Sequence, residues 1–281
     1  MKRSRPTPLA GSTVVITGAG SGMGRALAQR LSSHGCAVAA LDVDPDAIAA
    51  TEALLSGPAL ARTLDVRDRQ ALLGLAAEVA EWAPAPIGAV FNNAGVGMSA
   101  SVGGTPVEDH EWLMSINLDG VINGTRAFLP VLLGQGSGAI VNTSSVFGLA
   151  GIPFQSSYCA AKFAVRGFTD SLRHELRGTG VRAVTVHPGG IKTNIARSAK
   201  IHEDPRGQGR GHDELAAEFD TIARTTPERA AEIIHRGVDA GKARILVGPD
   251  AYVFDIVTRV TPSHYWSLFD PIERLAARRS S

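Results

Sequence analysis

From Thr13 onward, short β-branched or apolar runs alternate with longer segments of helical period, and this alternation restricts the chain more than any other feature. Strands are expected at about 13–17, 36–41, 59–64, 87–91, 138–143, 181–186 and 244–247. Helices are expected at about 22–34, 45–56, 68–82, 106–133, 155–177, 227–239 and 249–260. The punctuation agrees. Asp68 stands where a helix needs a cap, and Thr226-Pro227 offers a cap followed by Pro at the first helical position. Gly178 and Gly180 close the 155–177 helix and feed the next strand. Strand, helix, strand in strict order demands right-handed crossovers, hence a mostly parallel sheet with helices on both faces. The expected fold class is α/β: one doubly wound domain around a seven-stranded sheet.

A chain of 281 residues is ample for one such domain. Residues 1–11, basic and Pro-containing, read as a loose arm, leaving 12–281 as the single domain. The polar, Gly-rich stretch at about 194–224 is too long for a plain connection and reads as a lid. With 28 Lys+Arg against 27 Asp+Glu, the near-zero charge argues against a nucleic-acid binder. No apolar run is long enough to span a bilayer, and Leu9-Ala10 is no signal core, so a cytoplasmic chain is expected. Cys36 and Cys159 are too few for a disulfide framework or a Cys-based zinc site. His110-Glu and His174-Glu lack the second His of a zinc motif, having Met114 and Gly178 four residues on. No metal is expected.

Thr17-Gly-Ala-Gly-Ser-Gly-Met-Gly24 follows the first strand and opens the first helix. Glycines there let the backbone approach a pyrophosphate, which the helix N-terminus then holds. Arg25-Ala26 stands where a P-loop needs Lys-Ser/Thr, so this is not a P-loop. The spacing, set by Gly18, Gly22 and Gly24, also differs from G-x-G-x-x-G. Asp42 ends the second strand, where an acid can accept both ribose hydroxyls of an adenosine and repel a 2′-phosphate. Ser21 and Val43 stand where NADP binders would place a basic residue, so NAD is the expected cofactor of this Rossmann-type fold. Asp65-Val66 closes the third strand, where the Asp can meet an adenine amino group.

Tyr158-Cys-Ala-Ala-Lys162 places a phenol and an ammonium on one helix face. The ammonium is expected to lower the phenol's pKa, making it a general base toward an alcohol or a general acid toward a ketone. Gly138-Ala-Ile-Val-Asn-Thr-Ser-Ser145, Asn92-Asn-Ala-Gly95 and His187-Pro-Gly-Gly190 each end a strand in small or polar groups, at the sheet edge where ligands bind. His187 itself reads as a strand-end His with its bonding met, and Cys159 as a packed thiol.

These motifs, from about Thr13 to Asn194, together resemble the short-chain dehydrogenase/reductases. The resemblance implies that Tyr158 is the acid/base, that Lys162 lowers its pKa and holds the nicotinamide ribose, and that Ser145 polarises the substrate oxygen. Ser144 is the neighbouring alternative, and the family spacing selects Ser145. Asn117 resembles the Asn that anchors a water in the proton relay. Gly18, Ser21, Gly22, Met23 and Gly24 would face the pyrophosphate. Asp42, Val43, Asp65, Val66, Asn92, Ala94 and Gly95 would line the adenosine half. Pro188, Gly189, Ile191 and Thr193 would hold the nicotinamide end.

The resemblance further implies a homo-oligomer, often a tetramer built on the 106–133 and 155–177 helices. The expected function is NAD-dependent interconversion of a lipophilic alcohol and its ketone or aldehyde, in the oxidative direction. Val96-Gly-Met-Ser99, Phe147, Leu149, Ile152, Phe154 and the lid would wall the substrate; Trp266 and Phe269 stand open between lining that site, packing against a partner subunit and packing in the core. The alternatives are an NADPH-linked carbonyl reductase and a non-catalytic NAD sensor. Asp42 opposes the first and the complete Ser145–Tyr158–Lys162 set opposes the second.

Overall fold

The computed structural model describes residues 8–205 and 207–267. Seven strands form one parallel sheet: β1 (Thr13–Thr17), β2 (Ala37–Asp42), β3 (Ala59–Thr63), β4 (Ile87–Asn92), β6 (Gly138–Thr143), β7 (Val181–Pro188) and β9 (Arg244–Val247). They lie side by side in the order β3-β2-β1-β4-β6-β7-β9. The order reverses between β1 and β4, and the strand ends there open a crevice. A second, two-stranded sheet pairs β5 (Met98–Ser99) with β8 (Lys200–Ile201).

Successive strand residues face opposite ways, and the two faces make two cores. Val14, Ile16, Val38 and Phe91 pack with α1 (Gly22–Ser33) and α8 (Pro227–Asp239) through Leu27, Leu31, Ile234 and Val238. Val15, Leu41, Val90 and Ile140 pack on the other face. There they meet Leu72 and Leu75 of α3 (Arg69–Trp82), Phe128 and Leu132 of α5 (Gly120–Gln135), and Leu172 of α6 (Ser156–Glu175). The expected caps form. Asp68 accepts from the amides of Gln70 and Ala71 at 2.9 and 3.0 Å, and the Thr226 hydroxyl accepts from that of Arg229 at 3.2 Å.

Three local expectations are corrected. The single helix read over 106–133 is α4 (Val107–Met114), a π-helical turn over Ser115–Asp119, and α5. The 194–224 stretch, for which no strand or helix was expected, contains β8 and α7 (His212–Ile222), the latter bracketed by Glu214 accepting from the Gly211 amide. Residues 8–11, assigned to the loose arm, are docked. Leu9 is 1% exposed, and its amide donates to Asp239 Oδ1 on α8 at 2.9 Å, 230 positions away. The remaining elements are α2 (Pro45–Glu52), a short 3₁₀ turn over Val146–Gly148, and α9 (Pro249–Val260). Among the described residues no helix is long and apolar enough to cross a membrane.

Candidate active site

The C-terminal ends of β1, β2, β3 and β4 surround a cavity of about 380 Å³. A larger one of about 600 Å³ lies over β6 and β7. Met23, Asn93, Gly95, Thr193 and Ile195 line both, so the two communicate.

The smaller cavity is lined by Gly18, Ser21, Gly22, Met23, Gly24, Asp42, Val43, Asp65, Val66, Ala94, Gly95 and Thr193. Gly18 has φ +65°, and a Cβ there would stand 2.8 Å from Ala94 Cα, so the close crossing of the β1 and β4 loops requires glycine. Ser21 precedes α1 with its side chain making no cap bond, so the opening amides of α1 are not taken by it. Asp42 ties the floor together: Oδ2 accepts from the Gly20 amide at 2.8 Å and Oδ1 from the Asp44 amide at 3.1 Å. Asp65 is engaged by Arg67 through its amide and guanidinium, with Nη2 at 2.6 Å, and this pairing holds its carboxyl below the ordinary range. Arg67 also lines the cavity, a residue that the sequence reading did not single out.

One expected cofactor residue stands apart. Asn92 lines neither cavity: it is 2% exposed, and its Nδ2 donates to Asn142 Oδ1 at 2.8 Å and Thr125 Oγ1 at 3.1 Å. It fastens β4 to β6 and α5. The next residue, Asn93, faces both cavities instead, because successive side chains at a strand end point opposite ways.

In the larger cavity Ser145, Tyr158 and Lys162 meet. The Ser145 side chain accepts from the Phe147 amide at 3.1 Å and lies beside the Tyr158 phenol, whose pKa it draws down. Ser144 is diverted, donating to the Lys162 carbonyl at 2.7 Å, which leaves Ser145 as the hydroxyl beside the phenol. Lys162 is 3% exposed; its Nζ donates to the Thr143 carbonyl at 3.1 Å and lies 5.6 Å from the Tyr158 ring centroid. The phenol is not lowered as expected. Burial pushes Tyr158 up to about 12, with Ser145 opposing, and burial pushes Lys162 down to about 8.

Behind them, Asn117 is fully buried by the π-helical turn and grips the Val96 backbone in both directions, at 2.8 and 2.9 Å. Asn117 Oδ1 and Lys162 Nζ both approach the bare α-carbon of Gly95: a Cβ there would lie 3.1 and 3.5 Å from them. His187 supports Ser145 from below, its Nδ1 bonding the Ser145 carbonyl at 3.1 Å, and burial pushes its pKa down to about 4. Cys159 is buried with its thiol pKa raised by burial, a packed rather than reactive group.

Pro188, Gly189 and Ile191 line the larger cavity, with Met98, Phe147, Ile152, Phe154 and Trp266 as apolar wall. Val96 faces the smaller cavity instead, and Leu149 is buried in the fold and lines neither. Phe269 lies outside the described residues. From the 194–224 segment, Phe219 and Ile222 add apolar surface, while Arg210 pairs with Asp204 at 2.6 Å and with Glu218. The sequence also gave no signal for Asp250, at the start of α9, which lines this cavity and whose Oδ2 accepts from the Gly190 amide at 2.6 Å.

Comparison with known proteins agrees with this geometry. Residues 12–204 match the family described as short chain dehydrogenase, and the chain belongs to that family of oxidoreductases. It is 43% identical over 265 residues to a putative oxidoreductase, SadH, of Mycobacterium tuberculosis, covering 92% of this chain and 94% of that one. It is 41% identical over 183 residues to a meso-2,3-butanediol dehydrogenase of Serratia marcescens, covering 65% of this chain and 72% of that one. Among solved structures, a short chain dehydrogenase/reductase of Burkholderia phymatum in complex with NAD superimposes with a TM-score of 0.79 at 29% identity, covering 92% and 95% of the two chains.

Proposed function

We propose that the protein is an NAD-dependent oxidoreductase that interconverts a lipophilic, secondary alcohol and its ketone. One observation carries the reading: Ser145, Tyr158 and Lys162 meet in an apolar cavity that communicates with a glycine-walled one. The smaller cavity fits a dinucleotide chemically. Its glycines bring bare backbone to the opening turn of α1, a place suited to a pyrophosphate, and Asp42 offers a carboxylate to ribose hydroxyls. That carboxylate repels a 2′-phosphate, and the cation that shares the cavity, Arg67, is engaged by Asp65, so NAD is favoured over NADP. Solved relatives hold NAD in one case and NADP in others, so the preference rests on Asp42 and its surroundings.

When bound, the nicotinamide supplies the acceptor for the hydride of the carbinol carbon. The chain's own groups handle the proton and the charge. In oxidation Tyr158 takes the hydroxyl proton; in reduction it returns one to the ketone oxygen. Ser145, fixed through its carbonyl by His187, steadies the developing negative charge on the substrate oxygen. Lys162, buried and with its pKa pushed down to about 8, still mostly carries its charge at neutral pH and faces Gly95, where the ribose would pass. Asn117 fixes the Gly95–Val96 backbone at that point. Met98, Phe147, Ile152 and Phe154 exclude water and select an apolar substrate, with residues 194–224 as its lid. The name of the Serratia relative, a diol dehydrogenase, agrees with a carbinol substrate. The same reading has the protein cytoplasmic and homo-oligomeric, acting on a small molecule.

Titration of the two dinucleotides, followed by tryptophan fluorescence, is expected to show NAD⁺ binding at least about tenfold tighter than NADP⁺. The reverse order overturns the cofactor reading. In a panel of secondary alcohols followed by NADH absorbance, Tyr158→Phe should lose about 10²–10⁴-fold in rate while keeping its NAD⁺ affinity. A wild-type protein that binds NAD⁺ and turns over no member of the panel is a sensor instead.

A further inference from the structure

Asp250 sits one residue after Pro249 in the first turn of α9, where the helix N-terminus favours a carboxylate. It reaches across the sheet edge to the turn that follows β7. Its Oδ2 accepts from the Gly190 amide at 2.6 Å, a charge-assisted bond between residues 60 positions apart. The surroundings are shaped to admit it. A Cβ on Gly189 would collide with both carboxylate oxygens, so the turn stays bare where Asp250 approaches. Gly248, at φ +97°, makes the sharp entry to α9, and a Cβ there would meet Asp250 Oδ1 at 2.5 Å and Thr225 Oγ1 at 2.9 Å. Thr225 clasps the far side of the same turn: its amide donates to the Gly190 carbonyl at 3.3 Å, and its carbonyl accepts from Lys192 at 2.9 Å. Pro188, Gly189, Gly190 and Asp250 all line the cavity that holds Tyr158.

We infer that Asp250 is a positioning residue for dinucleotide binding: it locks the Gly189–Gly190 backbone at the place where the nicotinamide end of the cofactor would lie against it. The inference rests on the functional reading above. A carboxylate committed to a backbone amide is not free to act on substrate; it fixes the wall against which one face of the coenzyme would rest, and it couples that wall to α9. Loss of the bond therefore loosens the cofactor site ahead of the fold.

The test compares Asp250→Ser with Asp250→Asn. Serine suits a helix start and keeps α9, yet is too short to reach Gly190; asparagine keeps an acceptor oxygen at the same reach. For D250S, NAD⁺ Kd by fluorescence titration is expected to rise about tenfold, the scale of a lost hydrogen bond involving a charged group, with KM for NAD⁺ rising alike and KM for the alcohol little moved. D250N should restore most of the affinity. Thermal midpoints without cofactor, recorded in parallel, should move less than the affinities imply. An unchanged Kd in D250S, a D250N as weak as D250S, or a fall in stability with no change in Kd overturns the inference. If D250S does not fold, Asp250→Glu, whose extra methylene displaces the turn, replaces it with the same expected pattern. A wild-type protein that binds NAD⁺ while D250S binds it equally well overturns the inference alone; a wild type that binds neither dinucleotide overturns the functional reading and the inference together.

Discussion

Tyr158 and Lys162 are both driven toward their neutral forms, one to about 12 and the other to about 8, because each is buried. Spacing on a helix predicts the ammonium's effect on the phenol; it carries no information on how dry the pair will be, and desolvation is the larger influence. The consequence is directional. Oxidation needs the phenolate, whose population grows with pH toward the raised value, so kcat/KM for the alcohol should climb between roughly pH 7 and 9. Reduction needs the phenol, already present throughout, and should not climb. Initial rates in both directions across that range decide it; a flat oxidation profile refutes the assignment of Tyr158 as base. Much of the site was legible at this scale, since glycine, phenol, ammonium and hydroxyl each supply something no other residue type does. Asn92 against Asn93 was not, because the choice depends on which side of β4 each faces. Asp250 was not, because its partner Gly190 is distant in the chain.

At the scale of elements, β7 carries the support for Ser145. His187 is fully buried, and its Nε2 has no hydrogen-bond partner among the described residues, so the ring is held neutral. Its folded pKa lies below the ordinary 6.5, at about 4. The sign follows: the stability tied to the neutral ring is complete above the ordinary value and is lost as pH falls through that of the fold, a total of roughly 3 kcal/mol. Urea midpoints measured from pH 7 down to about 4 should fall accordingly, and His187→Asn, which keeps a donor for the Ser145 carbonyl, should flatten part of that slope. An equal slope in the variant refutes the assignment. The regular strands and helices were readable from period and caps. The π-helical turn was not: nothing in Ser115-Ile-Asn-Leu-Asp119 breaks a helix by composition, and the widening is set by tertiary contacts such as Asn117 on Val96. Two-residue strands such as β5 and β8 are too short to show a period at all.

For the whole molecule, strict alternation and the crossover rule were enough to foresee a seven-stranded parallel sheet, because few other arrangements bury both faces of such strands. Assembly is a separate matter. Val107 on α4, Leu133 on α5 and Phe163 on α6 are 69%, 42% and 40% exposed, apolar surface on the helices proposed to join subunits. Light scattering after gel filtration is expected to give a multiple of the monomer mass, and Phe163→Asp combined with Val107→Asp to lower it at least twofold by burying unpaired charge. A monomeric wild type refutes the proposed homo-oligomer. The clasp between Leu9 and Asp239 bears on biosynthesis. The ribosome releases its two halves 230 residues apart. β1 lies mid-sheet and can gather β2 and β4 while translation continues, and the Leu9 carbonyl already accepts from the Cys36 thiol, but the Leu9 amide meets Asp239 only when α8 emerges. The bond from the Leu9 amide therefore closes late in synthesis, only after 230 further residues have been made.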